Sequence, residues 1–357
     1  MQHSFGAPGT GGPQTALQRV LDSDLADRFE FVPLTQTSST GSIDVRRIRE
    51  WATALRAIAP DLVHVRGLGS EGFHAAAAAR LAGCRNILVT VHGTHRDLTR
   101  GQRSARRLVM TAGLEPATLS LASHIATVSQ AASRRPFIAR HGRKVLAPIE
   151  NGVPLPLLDA RHAQQKRREL GLSIDRTVLV SVGRLSLEKG HVELAGALSR
   201  LPTETMRQVE LLVVGSGPDE DQILASYRGI SGLTMRSLGN RADVLDILQA
   251  ADVFVFPSLH ENLSIALLEA MASQLPVIAT AVGGNVEVLR RGGGLLVPPR
   301  DTHALADAIT RLVWSPAGRG SLAQSARSTV EEHYTLTHML DRLSATYECI
   351  LGCRRSK

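Results

Sequence analysis

Two carboxylates eight positions apart, Glu261 and Glu269, stand in the stretch FVFPSLHENLSIALLEAMASQLPVIATAVGG, Phe254 to Gly284. On one straight helix they would lie about 80° apart in azimuth and about 12 Å apart along the axis. They would not share a face. An easier arrangement leaves Glu261 in the loop after a short apolar strand and starts the helix near Asn262 or Ser264, both good N-caps. Glu261 then points into a cleft, and Glu269 sits about a turn inside a helix whose free amides can receive a phosphate. Basic groups suited to the same chemistry lie upstream, in Gly183-Arg184-Leu185-Ser186-Leu187-Glu188-Lys189-Gly190. An arginine grips a phosphate bidentately and a lysine adds a compact charge, so this pair after a strand suits a diphosphate. The turn Gly9-Thr10-Gly11-Gly12-Pro13-Gln14-Thr15 also runs into a helical pattern, at Ala16, Leu17, Val20 and Leu21. Glycine amides can approach an anion with no Cβ in the way. The turn is neither a Walker A loop nor a good dinucleotide fingerprint, and by itself it also reads as a plain turn.

Positioning these groups requires strands that end where they begin. Asp61 to Val65 reads as a strand, Ser70 to Ala82 as an Ala-rich helix, and Ile87 to Val91 as a strand ending at His92-Gly93. His124 to Val128 is a further strand, with Ser129 capping the next helix. Thr177 to Val182 leads into the Arg184 segment, and Leu211 to Val214 into a turn at Gly215. Leu238-Gly239-Asn240-Arg241 precedes a helix over Ala242 to Ala250, and Leu275 to Thr280 is the strand after Glu269. Asp301 to Trp314 and Leu322 to Leu351 have helical patterning. Alternating strand and helix implies parallel, doubly wound sheets, with ligands at the carboxyl ends of the strands. The stretch Pro154 to Lys166, Pro-rich and then basic, is read as the linker between two domains, residues 1–157 and 158–334. A final helix over about 335–357 is expected to pack back on the first domain.

A chain of 357 residues exceeds what one core normally organises. With 43% hydrophobic and 21% charged residues, it is ordinary for a soluble protein. No apolar run approaches a membrane span, and MQHSFGAPGTGGP lacks the apolar core of a signal peptide, so the expected location is cytoplasmic. Cys84, Cys349 and Cys353, with no metal-ligand partners in the sequence, read as structural or incidental. The net charge of +8 falls wholly in residues 1–165, with 20 basic against 12 acidic side chains; the remainder balances, 21 to 21. Arg96, Arg100, Arg103, Arg106 and Arg107 crowd one segment beside Leu98, Leu108, Val109 and Met110. Such a segment can seek acidic lipid headgroups at an anionic membrane surface, acidic substrates or nucleic acid, or be a solvated helix face. No nucleic-acid partner is expected.

The strand, the Ser258-x-x-Glu261 turn, the LLEAMA helix and the PVIAT strand resemble the E-x7-E signature of retaining nucleotide-sugar glycosyltransferases, in particular glycosyltransferase family 4. ATVSQA, ENGVP and the Gly292 to Pro298 turn and strand are similar to further landmarks of that family. The resemblance implies the GT-B fold, α/β, with two Rossmann-like doubly wound domains facing across a cleft. It implies a nucleotide-sugar donor held mainly by the second domain and a sugar, glycan or lipid-linked acceptor held by the first. Neither a cofactor nor a metal is implied. Carried over residue by residue, His92 faces the transferred sugar, Arg184 and Lys189 stabilise the leaving diphosphate, and Glu261 contacts the sugar hydroxyls. Gly11, Gly12, Gly183, Gly215, Asn240, Arg241, Asn262, Leu263 and Ser264 line the donor, and Glu269 receives the ribose hydroxyls. The implied reaction is metal-independent transfer to an acceptor hydroxyl with retention, in bacterial-type cell-surface polysaccharide or glycolipid synthesis at the inner face of a membrane. A catalytically degenerate sugar-nucleotide-binding subunit and a nucleotide-sugar epimerase of the same architecture are the alternatives. Two departures stand out. Met1 to Phe5 is too short and polar for a good first strand, implying a late start or a degenerate strand. Asn262 occupies a position that is commonly glycine, where its tolerance of left-handed backbone would preserve the turn.

Overall fold

The computed structural model describes residues 1–5, 12–36, 43–97 and 105–352. The chain divides into two units, Met1–Gly152 with Leu336–Lys357, and Val153–Thr335. Among the described residues, the first unit contains the strands Gln2–Phe5 (β1), Pro33–Gln36 (β2), Val63–Arg66 (β3), Ile87–Val91 (β4) and His124–Thr127 (β5). They form one parallel sheet in the order β2-β1-β3-β4-β5. β3 and β4 are buried along their whole length, as strands covered on both faces must be. Their one face carries Val63, Val65, Ile87, Val89 and Val91 into a core with Leu55, Ala75, Ala79, Leu119 and Ile138.

Gln2–Phe5, expected to be too short and polar for a good first strand, is a paired strand of four residues. Gln2 is in register with Pro33 of β2 and with His64 of β3. Backbone hydrogen bonds hold a parallel ladder whatever the side chains, and here the buried Gln2 side chain has been given partners. Gln2 Nε2 donates to the Tyr347 hydroxyl at 2.9 Å, and its Oε1 accepts from Arg66 at 2.7 Å. His3, fully buried, stands edge-on to Trp51 with ring centroids 5.8 Å apart.

The helix Leu336–Gly352 belongs to this first unit. Its Met339, Leu343, Tyr347 and Ile350 cluster with Val20, Leu25, Leu88 and Ile149. Tyr347 is its polar anchor: the hydroxyl lies 2.7 Å from His64 Nδ1, and the other ring nitrogen of His64 is 2.7 Å from Thr90 Oγ1.

The second unit contains, among the described residues, Thr177–Val182 (β6), Val209–Val214 (β7), Thr234–Ser237 (β8), Val253–Phe256 (β9), Val277–Thr280 (β10) and Gly294–Val297 (β11). Its parallel sheet has the order β11-β10-β9-β6-β7-β8. Leu179, Leu211, Val213, Val253, Val255 and Ile278 of this sheet meet Leu194, Leu198, Leu305, Ile309 and Leu312 of two covering helices. The expected linker is shorter than its composition suggests, because Ala160–Glu169 is a helix of this unit, capped by Asp159. Its basic side chains have acids to meet: Lys166 lies 3.3 Å from Asp243, and Arg167 lies 3.1 Å from Asp252. The unit boundary accordingly falls at Gly152 and Val153. No helix among the described residues is long and apolar enough to cross a membrane.

Tyr347→Phe removes the hydroxyl that His64 and Gln2 share. Leaving buried polar groups unsatisfied costs about 1–3 kcal/mol. Urea denaturation followed by circular dichroism should show a loss of that size with the same slope; an unchanged midpoint would dismiss the anchoring role.

Candidate functional site

The order of the second sheet reverses between β6 and β9: β7 and β8 are added on one side of β6, and β9, β10 and β11 on the other. A crevice opens at the carboxyl edge of such a sheet, where two neighbouring loops diverge. The loops leaving β6 and β9 carry the groups singled out in the sequence. After β6 come Gly183, Arg184 and a single turn, Leu187–Lys189; after β9 come Pro257 to Leu263, then the helix Ile265–Ala272. Lys189 Nζ donates to Glu261 Oε1 at 2.5 Å and lies 5.5 Å from the centroid of the Phe256 ring. Arg184 donates to Glu188 at 2.8 Å, with its own side chain more than half exposed.

These loops are joined through backbone. A Cβ on Gly190, which has a φ of +72°, would lie 2.0 Å from the Pro257 carbonyl oxygen. One on Gly283, with a φ of +43°, would lie 1.7 Å from the Glu261 oxygen. Only glycine permits both the left-handed backbone and the approach. Leu259 N–H also donates to the Glu188 carbonyl at 2.8 Å. The β6 and β10 loops therefore clamp the β9 loop from two sides, which fixes Glu261 opposite Lys189. Gly183 differs from these two: a Cβ there would meet nothing within 4 Å, so open space lies in front of it.

Ser264 is the N-cap of the following helix, its hydroxyl accepting from Leu267 N–H at 3.3 Å. Glu261 is in the loop and Glu269 about a turn inside the helix, the arrangement that the spacing favoured. Glu261, Asn262, Leu263 and Ser264 are all buried, and Glu269 is half-buried. Asn262 is not among the residues with positive φ. The left-handed residue of this turn is Gly283, across the contact, so the tolerance expected of Asn262 is not used. Residues 7–155 match the family described as Glycosyltransferase Family 4, and residues 176–314 match Glycosyl transferases group 1.

The chain belongs to glycosyltransferase family 4. It is similar to the alpha-D-kanosaminyltransferase of Streptomyces kanamyceticus, 30% identical over 53% of this chain and 49% of that one. It is also similar to the N-acetyl-alpha-D-glucosaminyl L-malate synthase of Bacillus anthracis, 25% identical over 82% of this chain and 75% of that one. Its match spans about half the length of several curated relatives. The fold is GT-B, similar to HepE of Anabaena, solved in complex with UDP and glucose: TM-score 0.77, 21% identity, 98% of this chain and all of that one.

Other residues implied by family 4 are more dispersed. Gly215 ends β7 against the Gly183 carbonyl. Asn240 is exposed beyond β8, and Arg241 is engaged by Asp243 through two contacts, 2.8 and 2.7 Å. That fork, opposed by the carboxylate's partial desolvation and aided by Lys166, holds Asp243 well below the ordinary carboxylate range. In the first unit, His92 follows β4. Burial, with the charge of Arg66, pushes its imidazole down to about 3, so it is neutral at ordinary pH and can exchange hydrogen bonds without carrying charge. Gly12 opens the helix Gly12–Leu21, while Gly11 lies outside the described residues. Within the arginine cluster, Arg100 and Arg103 also lie outside them. Arg96 lies 3.2 Å from the buried Glu115, Arg107 donates to the Arg96 carbonyl at 2.8 Å, and Leu108 and Val109 are 67% and 56% exposed.

Glu188 and Phe256 belong to this cluster without having stood out in the sequence. Glu188 could have been found from its spacing of four from Arg184; Phe256, in an apolar strand, gave no signal distinct from core. Gly283→Ala should force the Glu261 carbonyl to move and destabilise the second unit by about 1–3 kcal/mol, the usual range for overpacking. Gly93→Ala, where a Cβ meets nothing within 4 Å, is the control, expected within about 0.5 kcal/mol of wild type. Equal denaturation midpoints for Gly283→Ala and Gly93→Ala would refute the clamp.

Proposed function

We propose that the chain transfers a sugar from a nucleotide-sugar donor to an acceptor hydroxyl, with retention at the anomeric carbon and without a metal. The second unit holds the donor and the first unit the acceptor. The bond between the anomeric carbon and the donor's phosphate oxygen breaks, and a bond to the acceptor oxygen forms on the same face. The acceptor's proton passes to the departing phosphate. The difficulty of this step is the negative charge that develops on the leaving diphosphate as the sugar becomes oxocarbenium-like. Preorganised positive charge and amide dipoles stabilise such charge without reorganisation. The observation that carries the reading is the convergence of Lys189, Glu261 and the open face of Gly183 at the β6/β9 switch point. Arg184, Lys189 and the amides that follow Asn262 receive the diphosphate. Glu261, oriented by Lys189, contacts the sugar hydroxyls, and Glu269 receives those of the ribose. The transferase names of the relatives and the UDP and glucose bound in HepE support a donor of this class.

Lys189→Ala and Glu269→Ala should each weaken donor binding or turnover by about tenfold or more while remaining folded, since each removes a hydrogen bond involving a charged group. A thermal-shift screen of nucleotide sugars identifies the donor first, because a ligand that binds the native state raises its stability. Turnover should persist in EDTA. Wild-type affinity and turnover in both folded variants would sink the assignment.

The surface position of Leu108 and Val109 within a basic segment favours a second reading: the first unit docks on an anionic membrane surface, where a lipid-linked acceptor would reside. Flotation with vesicles containing phosphatidylglycerol should fall when both residues are changed to Asp. Equal flotation of wild type and variant, or with neutral vesicles, would exclude such docking.

A further inference from the structure

Arg66 ends β3 and shares a face with His64, two residues before it. Only 7% of it is exposed. Its guanidinium donates to Gln2 Oε1 at 2.7 Å and has the Tyr347 hydroxyl beside it, so its direct partners are neutral. Among the described residues no carboxylate forms an ion pair with it. Segments 6–11, 37–42, 98–104 and 353–357 contain no Asp or Glu that could supply one. Other arginines of the first unit that are withdrawn from water do have an acid: Arg135 lies 2.6 Å from Asp97, and Arg342 lies 3.1 Å from Glu150. A guanidinium taken out of water without an anion carries a desolvation penalty of several kcal/mol, which neutral hydrogen bonds offset only in part.

The surroundings of Arg66 keep it the local charge. Burial and the positive field of Arg66 hold His3, His64 and His92 neutral. The order β2-β1-β3-β4-β5 places the reversal of this sheet between β1 and β3, and ligands of such sheets bind at the carboxyl ends there. Arg66 is the last residue of β3. At Gly67 and Gly93, which follow β3 and β4 at this end of the sheet, a Cβ would stand in open space.

We propose that Arg66 is a specificity-determining residue that receives an anionic group, a phosphate or a carboxylate, on the acceptor. The word acceptor rests on the function proposed above; binding of an anion at Arg66 does not. A matched anion supplies the charge that the fold withholds from Arg66, and a neutral acceptor leaves the guanidinium uncompensated.

The test is anion binding to the full chain by thermal shift and calorimetry, at constant ionic strength in chloride. The probes are inorganic phosphate, glycerol phosphate and lactate, with glycerol as the neutral control. Wild type should be stabilised by a phosphate or by the carboxylate, and whichever acts names the class. Arg66→Met should bind that anion about tenfold or more weakly, as expected on truncating one side of a buried charge pair. Arg66→Lys should be intermediate, keeping the charge and losing the fork. Without anion, Arg66→Met should melt close to wild type, because relief of a buried charge that has no opposite charge offsets the loss of its hydrogen bond to Gln2 Oε1. Lys189→Ala removes any phosphate response of the second unit's basic groups and should keep the part of the response that Arg66→Met loses. A response lost in Lys189→Ala and kept in Arg66→Met would place the anion at the second unit's basic groups and overturn the proposal. So would a lower melting temperature for Arg66→Met with no anion response in wild type, since Arg66 would then be only a brace between Gln2 and Tyr347. Equal shifts from glycerol would do the same. If neither Arg66 variant folds, a crystal structure of wild type with the stabilising anion decides, the anion against Arg66 supporting the proposal and the anion elsewhere refuting it. An inactive chain that binds the anion at Arg66 would remove the transferase reading alone; an active chain that does not would remove this inference alone.

Discussion

Holding a half-buried lysine and a buried glutamate together at the edge of a sheet is a problem of backbone placement before it is one of charge. Lys189 and Glu261 come from loops separated by about seventy residues, and their 2.5 Å contact requires those loops to be fixed within a fraction of an ångström. Side chains are poor spacers for that task because they change rotamer. The second unit uses bare backbone, with Gly190 against the Pro257 carbonyl and Gly283 against that of Glu261. Polypeptide packed on polypeptide has little freedom to relax, and the ion pair inherits that rigidity. Partial burial of both charges then costs less than it would in a loose loop, since neither must search for the other.

Much of this could be read from the sequence, for reasons that differ from element to element. β4 and β6 coincide with the apolar runs Ile87–Val91 and Thr177–Val182, because strands covered on both faces are continuous apolar segments. Ser264 and Ser129 cap their helices because a hydroxyl at that position satisfies an otherwise unpaired amide. The loop position of Glu261 followed from helix geometry alone. What could not be read depended on partners distant in the chain. Gln2 looks unsuited to a strand until Arg66 and Tyr347, far along the sequence, provide for it. The helix Ala160–Glu169 looks like a solvated linker until Asp243 and Asp252 meet its basic face. Gly283 looked like one half of a glycine pair, and its role emerged only with the carbonyl it faces.

The two sheets treat buried charge differently. In the second unit, buried or half-buried charges meet opposite charges: Lys189 with Glu261, Arg184 with Glu188, Arg236 with Glu210. These pairs orient groups and are close to neutral as sets. In the first unit, the polar layer over β1, β3 and β4 consists of an amide, hydroxyls and imidazoles kept neutral by burial, with one guanidinium among them. Burial first, and the field of Arg66 second, lower the basicity of three histidines in this layer.

That contrast bears on what each sheet edge can recognise. A site made of compensated pairs binds an anion only by competing with its own carboxylates, so the specificity proposed for the second unit would come from geometry: the spacing of Arg184, Lys189 and the helix amides. A site with an uncompensated cation discriminates by charge first and shape second. Both edges lie at the reversal of a doubly wound sheet, where the fold leaves a crevice regardless of sequence. Topology therefore supplies the position of each site. The chemistry placed there, a paired lysine at one edge and an arginine with neutral partners at the other, would on the two proposals distinguish a site that orients its ligand from one that selects it.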